Sequence, residues 1–360
     1  MGVAMAFVQA TVPRVRCGEH GVVVAQVPWA RHDAGHTRVF DDQVAWMAVE
    51  CSKKAITQLM RIAWRTVGAI ISRVCADVDA STDRLAGLRQ IGIDEISYRR
   101  GQKYLLVVVD HDTRRLVWAA DGKDQATLNR FFDALGPQRC AQITHVTADL
   151  ASWIEQTVTE RCPAAVQCAD PFHVVAWAIE ALDQVRREVW NSLRKQPGGT
   201  RIYSGRTNAA GDARKVAHSR WVLWKNPQDL TDAQQARLAW IAASHPRLFE
   251  AYRLKESLRI LFQLRGADAT ALLRTWIAEA SRSDLAPFRK LAKSIQGVLP
   301  RIAATFTHGL SNALVEGTNT RIRLITRRAF GFHSAQPLIA LAMLSLGGYR
   351  PALPGRPTHT

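Results

Sequence analysis

Residues 91–120 read IGIDEISYRRGQKYLLVVVDHDTRRLVWAA and contain the clearest indication of the fold class of the chain. Three apolar runs, at 91–98, 103–110 and 114–120, are separated by short polar segments. Runs of this length that are rich in β-branched residues predict strands, and connections this short join antiparallel neighbours. The sequence therefore predicts an antiparallel meander of three strands.

The segments after the meander alternate between helix and strand. The pattern predicts a helix at 125–135, a strand at 141–149, a helix at 150–160 and a strand at 164–170. Three antiparallel strands followed by this alternation predict an α/β fold with a sheet of mixed direction. The remaining predicted helical segments are 173–279 (broken by a Gly-, Asn- and Arg-rich loop at 197–214), 287–299 with a stop near Pro300, 315–325 and 337–346.

The segment before the meander predicts two helices that meet at a tight break. Ser52 is a candidate N-cap, the break falls at residues 61–63, and the second helix runs from Trp64 to about Val74. The apolar residues expected to anchor this pair are Ala55, Leu59, Ile62 and Val67. Flanking these helices, the sequence predicts a short strand at 22–29, a helix from Phe40 and a linker at 77–84.

Two helices of this kind are typical of a helix-turn-helix, which presents its second helix to the major groove of DNA. Arginine binds guanine or phosphate, and threonine binds phosphate or a thymine methyl group. The side chains expected at the DNA are Arg61, Trp64, Arg65 and Thr66. An ordinary helical hairpin in a domain core has the same apolar spacing, so the spacing alone leaves both interpretations open.

Composition and charge favour a nucleic-acid partner. The 360 residues include 48 Lys and Arg against 31 Asp and Glu, a formal net charge of +17, and 47% are hydrophobic. The apolar fraction excludes a disordered chain, and the charge indicates a polyanion, with DNA ahead of an anionic membrane surface. No apolar run reaches the ~18 residues of a membrane span, no secretory signal is evident, and six cysteines are too few for a disulfide scaffold. We therefore expect a cytoplasmic protein that binds no membrane.

Acidic residues at predicted strand ends suggest a metal site. Asp94 lies within the first strand of the meander, and Asp149 ends the strand at 141–149. Two neighbouring carboxylates need a cation to offset their repulsion, and Mg²⁺ prefers oxygen ligands. A third carboxylate would complete the site, and the candidates are Asp110, Asp170 and Glu316. Strand-end aspartates are also common turn residues, and that alternative remains open.

Two further motifs carry charged and polar groups. In DPFH, Asp170 and His173 either organise a site or cap a helix. In VEGTNTRIRLITRRAFGFHS, at 315–334, one helix face carries Glu316, Asn319, Arg323 and Arg327, and Arg328 follows. A metal ligand followed by phosphate-binding arginines has this pattern, as does a solvated helix. The rings of Phe330 and Phe332 stack on bases or pack in the core.

The N-terminal segment contains a candidate zinc site. Cys17 and His20 are followed by His32 and His36, a spacing that tetrahedral zinc sites use. Four unrelated residues would give the same pattern. Zinc at Cys17 and His20 is therefore one of two interpretations.

These motifs stand in the order in which the DDE transposases of bacterial insertion sequences carry them, and the chain resembles the ISL-three family of that group. The resemblance extends from about residue 14 to 345 and rests on the ordered set rather than on any single motif. Its pieces are AWRTV in the helix-turn-helix, GIDEISYRRGQKYLLVVVDHDTRRLVWA, the strand ending in Asp149, DPFHVV leading into ALDQVRRE, and VEGTNTRIRLITRRAFGF.

The resemblance implies a ribonuclease H-like core with a helical insertion between the second and third acids. It implies Asp94, Asp149 and Glu316 as the catalytic triad that holds two Mg²⁺ ions, for which Mn²⁺ can substitute. Glu316 is preferred as the third acid because the family's last acid lies in the helix after the insertion. Asp170 and His173 then match an accessory motif of related transposases.

The same resemblance divides the chain into segments. Family members usually begin with a zinc-binding segment of two Cys-rich pairs, of which only Cys17 and His20 are visible here. The expected segments are a partial zinc-ribbon-like region at 1–38, the helix-turn-helix at 39–80, the catalytic core at 88–180, the helical insertion at 181–299, the closing helix of the core at 300–346 and a tail at 347–360.

The expected function is that of a transposase which binds the terminal inverted repeats of its element, cleaves a strand and transfers the 3′-OH to target DNA. Synapsis of two DNA ends implies at least a dimer when the protein is bound to DNA. The expected location is the cytoplasm, in association with the nucleoid. The alternatives are an inactive DNA-binding relic or repressor, a metal-dependent nuclease of the same core that does not join strands, and a metabolic α/β enzyme. The absence of G-x-G-x-x-G after a strand and of G-x4-G-K-[ST] removes the commonest forms of the last.

Overall fold

The computed structural model describes residues 7–32, 34–101, 103–195 and 208–353, with the backbone alone for 208–210. The chain divides into two compact units. The first unit comprises Met1–Thr144, Gln156–Ala165 and Ala313–Thr360, and the second comprises His145–Glu155 and Val166–Asn312.

The described elements are mostly helices. The strands are β1 Arg14–Cys17, β2 Gly21–Val24, β3 Gln90–Arg99, β4 Lys103–Asp110, β5 Arg115–Asp121, β6 His145–Ala148 and β7 Val166–Ala169. The helices are α1 Arg38–Glu50, α2 Lys53–Met60, α3 Trp64–Ser81, α4 Gln125–Leu135, α5 Pro137–Cys140, α6 Ser152–Arg161, α7 Pro171–Lys195, α8 Asn208–Ala217, α9 Arg220–Trp224, α10 Asp232–Ser244, α11 Pro246–Leu261, α12 Gly266–Arg282, α13 Ala286–Gly297, α14 Leu299–His308, α15 Ala313–Arg328 and α16 Ala335–Leu346. Within the described residues, none of these helices is both long enough and apolar enough to cross a membrane.

The three-stranded meander of the first unit confirms the prediction from 91–120. β3 pairs antiparallel with β4, and β4 with β5, and Asp94 lies opposite Val107. The six residues 105–110 are all buried, as expected for a central strand that is covered on both faces. Helix α15 packs against β3 and β4, while α16 packs against β5 and α3. The meander is thus the platform on which the last two long helices lie.

The helix-turn-helix of the first unit has the predicted break and caps. Ser52 Oγ accepts a hydrogen bond from the Ala55 amide at 3.2 Å, and α2 ends at Arg61, whose φ of 53° is left-handed. Ile56 and Val67 are fully buried between the helices. The prediction that Leu59 anchors the two helices is wrong, because this residue is 50% exposed. The two-turn helix α2 contacts α1 and α3 through Ile56 and Met60 instead.

The predicted linker at 77–84 is wrong in its first part, because α3 continues to Ser81. The polar residues there are held by ion pairs rather than freely solvated. Asp77 Oδ2 accepts a hydrogen bond from Arg31 Nε at 2.6 Å, and Arg31 Nη2 donates to Asp42 Oδ1 at 2.6 Å. Arg31 is buried, so its guanidinium ties α1 and α3 to the segment before them.

The second unit is a parallel strand pair followed by helices. β6 and β7 pair in parallel, with His145 opposite Val166 and Ala148 opposite Ala169. α14 packs against β7, and α7 packs against α8, α11 and α13 around one apolar core. Antiparallel strands in one unit and parallel strands in the other confirm the mixed α/β class.

An ion-pair cluster on α7 lies within the second unit. Arg186 Nε and Arg187 Nε donate hydrogen bonds to the two oxygens of Asp183, each at 2.8 Å. Burial raises the pKa of Asp183, but hydrogen bonds and positive charge from the two arginines outweigh it and lower the pKa. The buried carboxylate is therefore ionised and paired.

Several predicted boundaries shift. The helix predicted at 287–299 does end near Pro300, at Gly297, but a second helix, α14, begins at once instead of a break. Pro300 lies in the first turn of α14, where its missing N–H costs no hydrogen bond within the helix. β2 is shorter than predicted, and its hairpin partner β1 was not predicted. β6 and β7 are shorter than their predicted runs and occupy mainly the C-terminal parts of them. The predicted loop at 197–214 lies outside the described residues up to residue 207, and α8 begins at Asn208.

Candidate active site

The first acidic group lies where β3 meets α15, within the first unit. Asp94 Oδ2 accepts a hydrogen bond from Asn319 Nδ2 at 2.7 Å, and Asp94 Oδ1 accepts one from the Glu95 amide at 2.7 Å. Asn319 is 1% exposed. A hydrogen bond to a charged acceptor is roughly twice as strong as a neutral one. This contact therefore fixes the Asp94 carboxylate and the face of α15 that meets β3.

Glu316 lies on that same face of α15. It precedes Asn319 by three residues, in the first turn of the helix, and is partly buried. Side chains at i and i+3 are neighbours on a helix surface. The packing of α15 against β3 thus places Glu316 one turn from the amide that contacts Asp94.

The second acidic group lies at the ends of the parallel strands in the second unit. Asp149 directly follows β6, and Asp170 directly follows β7. The carboxyl ends of neighbouring parallel strands lie at one edge of a sheet, where side chains from successive strands meet. One ligand atom from each of Asp149, Asp170 and His173 lies within 4.8 Å of the others.

His173 bridges the two carboxylates from the first turn of α7. Its Nε2 lies 2.9 Å from Asp149 Oδ2, and its Nδ1 lies 2.8 Å from Asp170 Oδ2. The hydrogen bonds that His173 donates to Asp149 and then to Asp170 raise the pKa of His173 to about 10, despite partial burial. His173 is therefore an imidazolium near neutral pH, with both N–H groups donating.

Asp170 combines the two roles that its motif left open. Its Oδ1 accepts a hydrogen bond from the Phe172 amide at 3.2 Å, which helps to cap α7. Its Oδ2 contacts His173, and its side chain is only 3% exposed. The predicted accessory pair thus lies beside Asp149.

The donor atoms of these residues fit a hard divalent cation. Asp149 Oδ1 and Asn319 Oδ1 are both buried, and neither has a hydrogen-bond partner among the described residues. Buried oxygen atoms without a donor are costly unless something else supplies positive charge. Carboxylate and amide oxygens are the ligands that Mg²⁺ and Mn²⁺ take. The carboxylate and amide oxygens in each unit are therefore of the kind that binds a divalent metal ion.

The third-acid candidate Asp110 has a different use. Its Oδ2 accepts hydrogen bonds from the Thr113 amide and hydroxyl at 3.2 and 2.6 Å, and its Oδ1 accepts one from the Asp112 amide. These bonds close the turn between β4 and β5. Here the turn-residue alternative is correct.

The predicted DNA-contact side chains fall into two groups. Trp64 is 51% exposed at the start of α3, and Arg61 and Arg65 are exposed beside it, while Thr66 is partly buried. On α15, Arg323 and Arg327 are exposed. Arg328 is partly buried and donates to the carbonyls of Glu50 and Ala48, both at 3.3 Å.

The zinc candidates are only partly brought together. Cys17 Sγ lies 3.4 Å from His20 Nδ1, at the turn between β1 and β2. His36 stacks on Phe40, at a centroid distance of 4.7 Å. In the portion of the chain that is described, no third His, Cys, Asp or Glu completes a metal cluster with Cys17 and His20. Zinc binding there stays a prediction.

Sequence reasoning missed the role of Asn319. The helical spacing placed it on the face of Glu316, but no pattern showed that its amide donates to Asp94, 225 positions earlier. The available signal was an amide, rather than a charge, on an otherwise charged helix face.

Helices that pack on an antiparallel meander, carboxylates at strand ends and an exposed helix-turn-helix are together typical of a DNA-binding protein with an acidic candidate active site. Comparisons with known proteins agree with this class. A family model described as "Transposase" matches residues 91–342, and one described as "Helix-turn-helix domain of transposase family ISL3" matches residues 25–75.

Individual relatives agree with the family models. The chain is 57% identical to the "Transposase for insertion sequence element IS1557" of two Mycobacterium tuberculosis strains, CDC 1551 / Oshkosh and ATCC 25618 / H37Rv. That similarity covers 99% of this chain and 82% of each relative. The "Transposase for insertion sequence element IS1001" of Bordetella parapertussis is 29% identical, over 79% of this chain and 67% of its own length.

The chain therefore belongs to the ISL3 family of insertion-sequence transposases, with a helix-turn-helix domain followed by a DDE domain. This confirms the resemblance found from the sequence. The family is metal-dependent, and the helix-turn-helix implies that the protein binds DNA.

Proposed function

We propose that this protein binds the terminal inverted repeats of an insertion sequence, cleaves a DNA strand at each end and transfers the freed 3′-OH to target DNA. The observation that carries the proposal is the hydrogen bond from Asn319 to Asp94, at 2.7 Å. It sets the helix of one proposed catalytic acid, Glu316, against the strand of another.

Asp94, Asp149 and Glu316 are the proposed metal ligands, with Mg²⁺ as the expected ion and Mn²⁺ as a substitute. When bound, the divalent cation supplies positive charge that activates the attacking oxygen and offsets charge on the phosphoryl group. The buried, unpartnered oxygen of Asp149 supports its place in this set. Glu316 is chosen over Asp170 because it lies on α15 one turn before Asn319, whose amide contacts Asp94.

Other residues of the chain orient the reacting groups. His173 donates to both Asp149 and Asp170 and so holds these carboxylates in one arrangement. Asn319 orients Asp94 in the same way. In the reaction, a water oxygen bonds to phosphorus as the bond from phosphorus to the 3′-oxygen breaks, and that 3′-oxygen takes up a proton. The resulting 3′-OH then loses its proton as it bonds to a phosphorus of the target strand. The bond from that phosphorus to its own 3′-oxygen breaks, and the leaving oxygen takes up a proton.

DNA binding is proposed for two surfaces of the protein. The exposed side chains at the start of α3 contact base edges and phosphates, and the exposed arginines of α15 contact phosphates. Phosphate contacts by arginine are independent of sequence and weaken with salt. Because two ends are joined in one reaction, the active form on DNA is at least a dimer, and the proposed location is the nucleoid.

The test is a cleavage and joining assay with the purified full chain. The substrate is a DNA fragment that carries the element's own ends, and the reaction contains Mg²⁺ or Mn²⁺. We expect joined product with the native protein and none with Glu316→Ala. Nicked DNA without joined product would indicate a nuclease, and salt-sensitive binding without nicking in either metal would indicate an inactive relic or a repressor.

A further inference from the structure

A cavity of about 440 Å³ lies within the first unit, between the helix-turn-helix and the turn from α15 to α16. Three aromatic side chains line it: Trp64, Phe330 and Phe332. Lys53 and Arg328 supply positive charge at its wall. None of the described residues that line it is an aspartate or a glutamate. The cavity therefore adds three aromatic rings and two cations to an otherwise largely apolar lining, and none of the described lining residues is a carboxylate that would neutralise the cations.

Phe330 is held at this cavity in an unusual position. Its side chain is 98% exposed, and its backbone φ is 56°, a left-handed value that bulky residues rarely adopt. The Gly331 amide donates to the Thr326 carbonyl at 2.9 Å, which closes the end of α15 and fixes this conformation. By contrast, Phe332 packs against the core. The sequence left two roles open for these rings, and the structure shows that Phe332 packs in the core while Phe330 faces solvent.

The cations of the cavity are fixed by their neighbours. Lys53 Nζ lies 4.9 Å from the centroid of the Trp64 ring, and a side chain added at Gly68 would meet that nitrogen at 3.0 Å. Burial lowers the pKa of Lys53. The guanidinium of Arg328 is held by two main-chain carbonyls of α1. An anionic group is the complement of this wall.

We propose that this cavity binds one unstacked nucleotide of the bound DNA, with its base against Phe330 and Trp64 and its phosphate beside Lys53. The inference rests on the proposed function, because the nucleotide comes from the DNA end on which the protein acts. Trp64 begins α3, the helix that a helix-turn-helix presents to DNA, so the cavity continues the expected DNA surface.

The chemistry of the lining favours a nucleotide over a peptide or a second copy of the chain. Each of the four bases has a flat face that can stack on an aromatic ring, so stacking does not depend on the DNA sequence. Each nucleotide also carries one phosphate. The cavity volume lies in the range of about 300–1,000 Å³ that small-molecule sites occupy. A nucleotide complements both the aromatic rings and the cations. An apolar side chain would leave the positive charge of Lys53 and Arg328 without an anionic partner.

The experiment measures the affinity of the full chain for end duplexes by fluorescence anisotropy, with one mismatch moved along the end. A mismatch lowers the cost of unpairing a base, so one position should tighten binding by native protein about tenfold. Phe330→Ala should weaken binding to that duplex by about fivefold to 150-fold, the range for loss of one stacking partner. Phe330→Trp should restore it. Since the ring is almost fully exposed, its removal takes no packing from the fold.

Two controls separate stacking from general effects. Leu324 is 57% exposed on α15 but does not line the cavity, so Leu324→Ala should bind all duplexes as the native protein does. Lys53→Gln should reduce the slope of log affinity against log salt concentration by about one, as expected for one lost phosphate contact.

The outcomes distinguish this inference from the proposed function. If native protein binds and cleaves its ends but is indifferent to a mismatch at every position, the inference is wrong and the function stands. Equal behaviour of Phe330→Ala and Leu324→Ala overturns it as well. A change in oligomeric state with unchanged DNA binding in Phe330→Ala would assign the cavity to a second copy. Absence of any binding to end DNA would overturn both.

Discussion

Replacement of Asn319 by alanine should slow DNA cleavage without unfolding the protein. The substitution removes the amide that donates to Asp94 Oδ2 at 2.7 Å, and it removes a buried Oδ1 that has no partner among the described residues. A hydrogen bond to a charged group is worth about 1.5–3 kcal/mol. If that energy holds Asp94 in its working orientation, its loss corresponds to about a 10- to 150-fold slower reaction.

The assay is single-turnover cleavage of end DNA as a function of Mg²⁺ concentration. Residues that orient a metal ligand typically change metal affinity or activity by about 10- to 100-fold when they are removed. Asn319→Ala should therefore raise the Mg²⁺ concentration for half-maximal cleavage as well as lower the rate. A residue that only supported the fold would change the fraction of folded protein and leave that midpoint unchanged.

The matched control is Thr320→Ala, at the next position of α15, where the side chain is exposed. It should cleave with native rate and native Mg²⁺ dependence. Urea unfolding of both variants checks that each is folded under the assay conditions. Native rate and native Mg²⁺ midpoint in Asn319→Ala would refute the argument that this amide orients Asp94.

Three further predictions test the fold, the DNA surface and the charge network. Ile56→Ala, at a fully buried site, should lower the free energy of unfolding by about 2–5 kcal/mol, whereas Leu59→Ala, at a half-exposed one, should change it by less than about 0.5 kcal/mol in urea titrations; equal losses would contradict the observed packing of α2. Arg65→Gln should weaken binding to all DNA sequences and lower the salt slope by about one, measured by anisotropy; an unchanged slope would remove Arg65 from the phosphate contacts. Because the pKa of Asp183 is lowered, its pairing contributes stability that is complete above its unfolded pKa of about 3.9 and is lost as the pH falls through the lower folded value. The unfolding free energy of native protein should therefore decline below about pH 4, and Asp183→Asn should show a smaller decline. Identical pH profiles would show that the Asp183 ion pairs do not contribute to the loss of stability at low pH.

Much of the fold was predictable because local patterns and tertiary packing agree. The meander at 91–120 combines β-branched runs with turns too short for anything but antiparallel pairing. The bounds of α4 follow from its cap, since Asp124 Oδ1 accepts from the Thr127 amide at 2.8 Å. The break before Trp64 was visible for the same reason, because Ser52 caps α2 and the chain turns at Arg61.

The errors arose where packing overrides local pattern. Leu59 has the spacing of a buried residue, but a helix of only two turns buries one narrow face, and Met60 fills it. Polar residues after Val74 suggested a linker, yet Asp77 is paired with Arg31, and the helix continues. Such pairs join positions that are far apart in the chain, so no window of sequence reveals them.

The candidate site was predictable in its residues but not in its contacts. The pattern placed Asp149 and Asp170 at strand ends, and the parallel pairing of β6 and β7 explains why their carboxylates meet. The bridging position of His173 and its raised pKa depend on where α7 begins relative to both strands. The contact between Asn319 and Asp94 depends on how α15 packs on β3.

Strand cleavage by three isosteric, neutral variants tests whether the proposed carboxylates are catalytic: Asp94→Asn, Asp149→Asn and Glu316→Gln. Each replaces a carboxylate by an amide of nearly the same shape, so packing is retained while charge is lost. Each variant should cleave end DNA at least about 1,000-fold more slowly in Mg²⁺, with DNA affinity within about twofold of native. Asp170→Asn should have a smaller effect. Native cleavage by any of the three would contradict the assignment of that residue, and loss of cleavage in Asp170→Asn together with full activity in Glu316→Gln would show that Asp170 is the third acid.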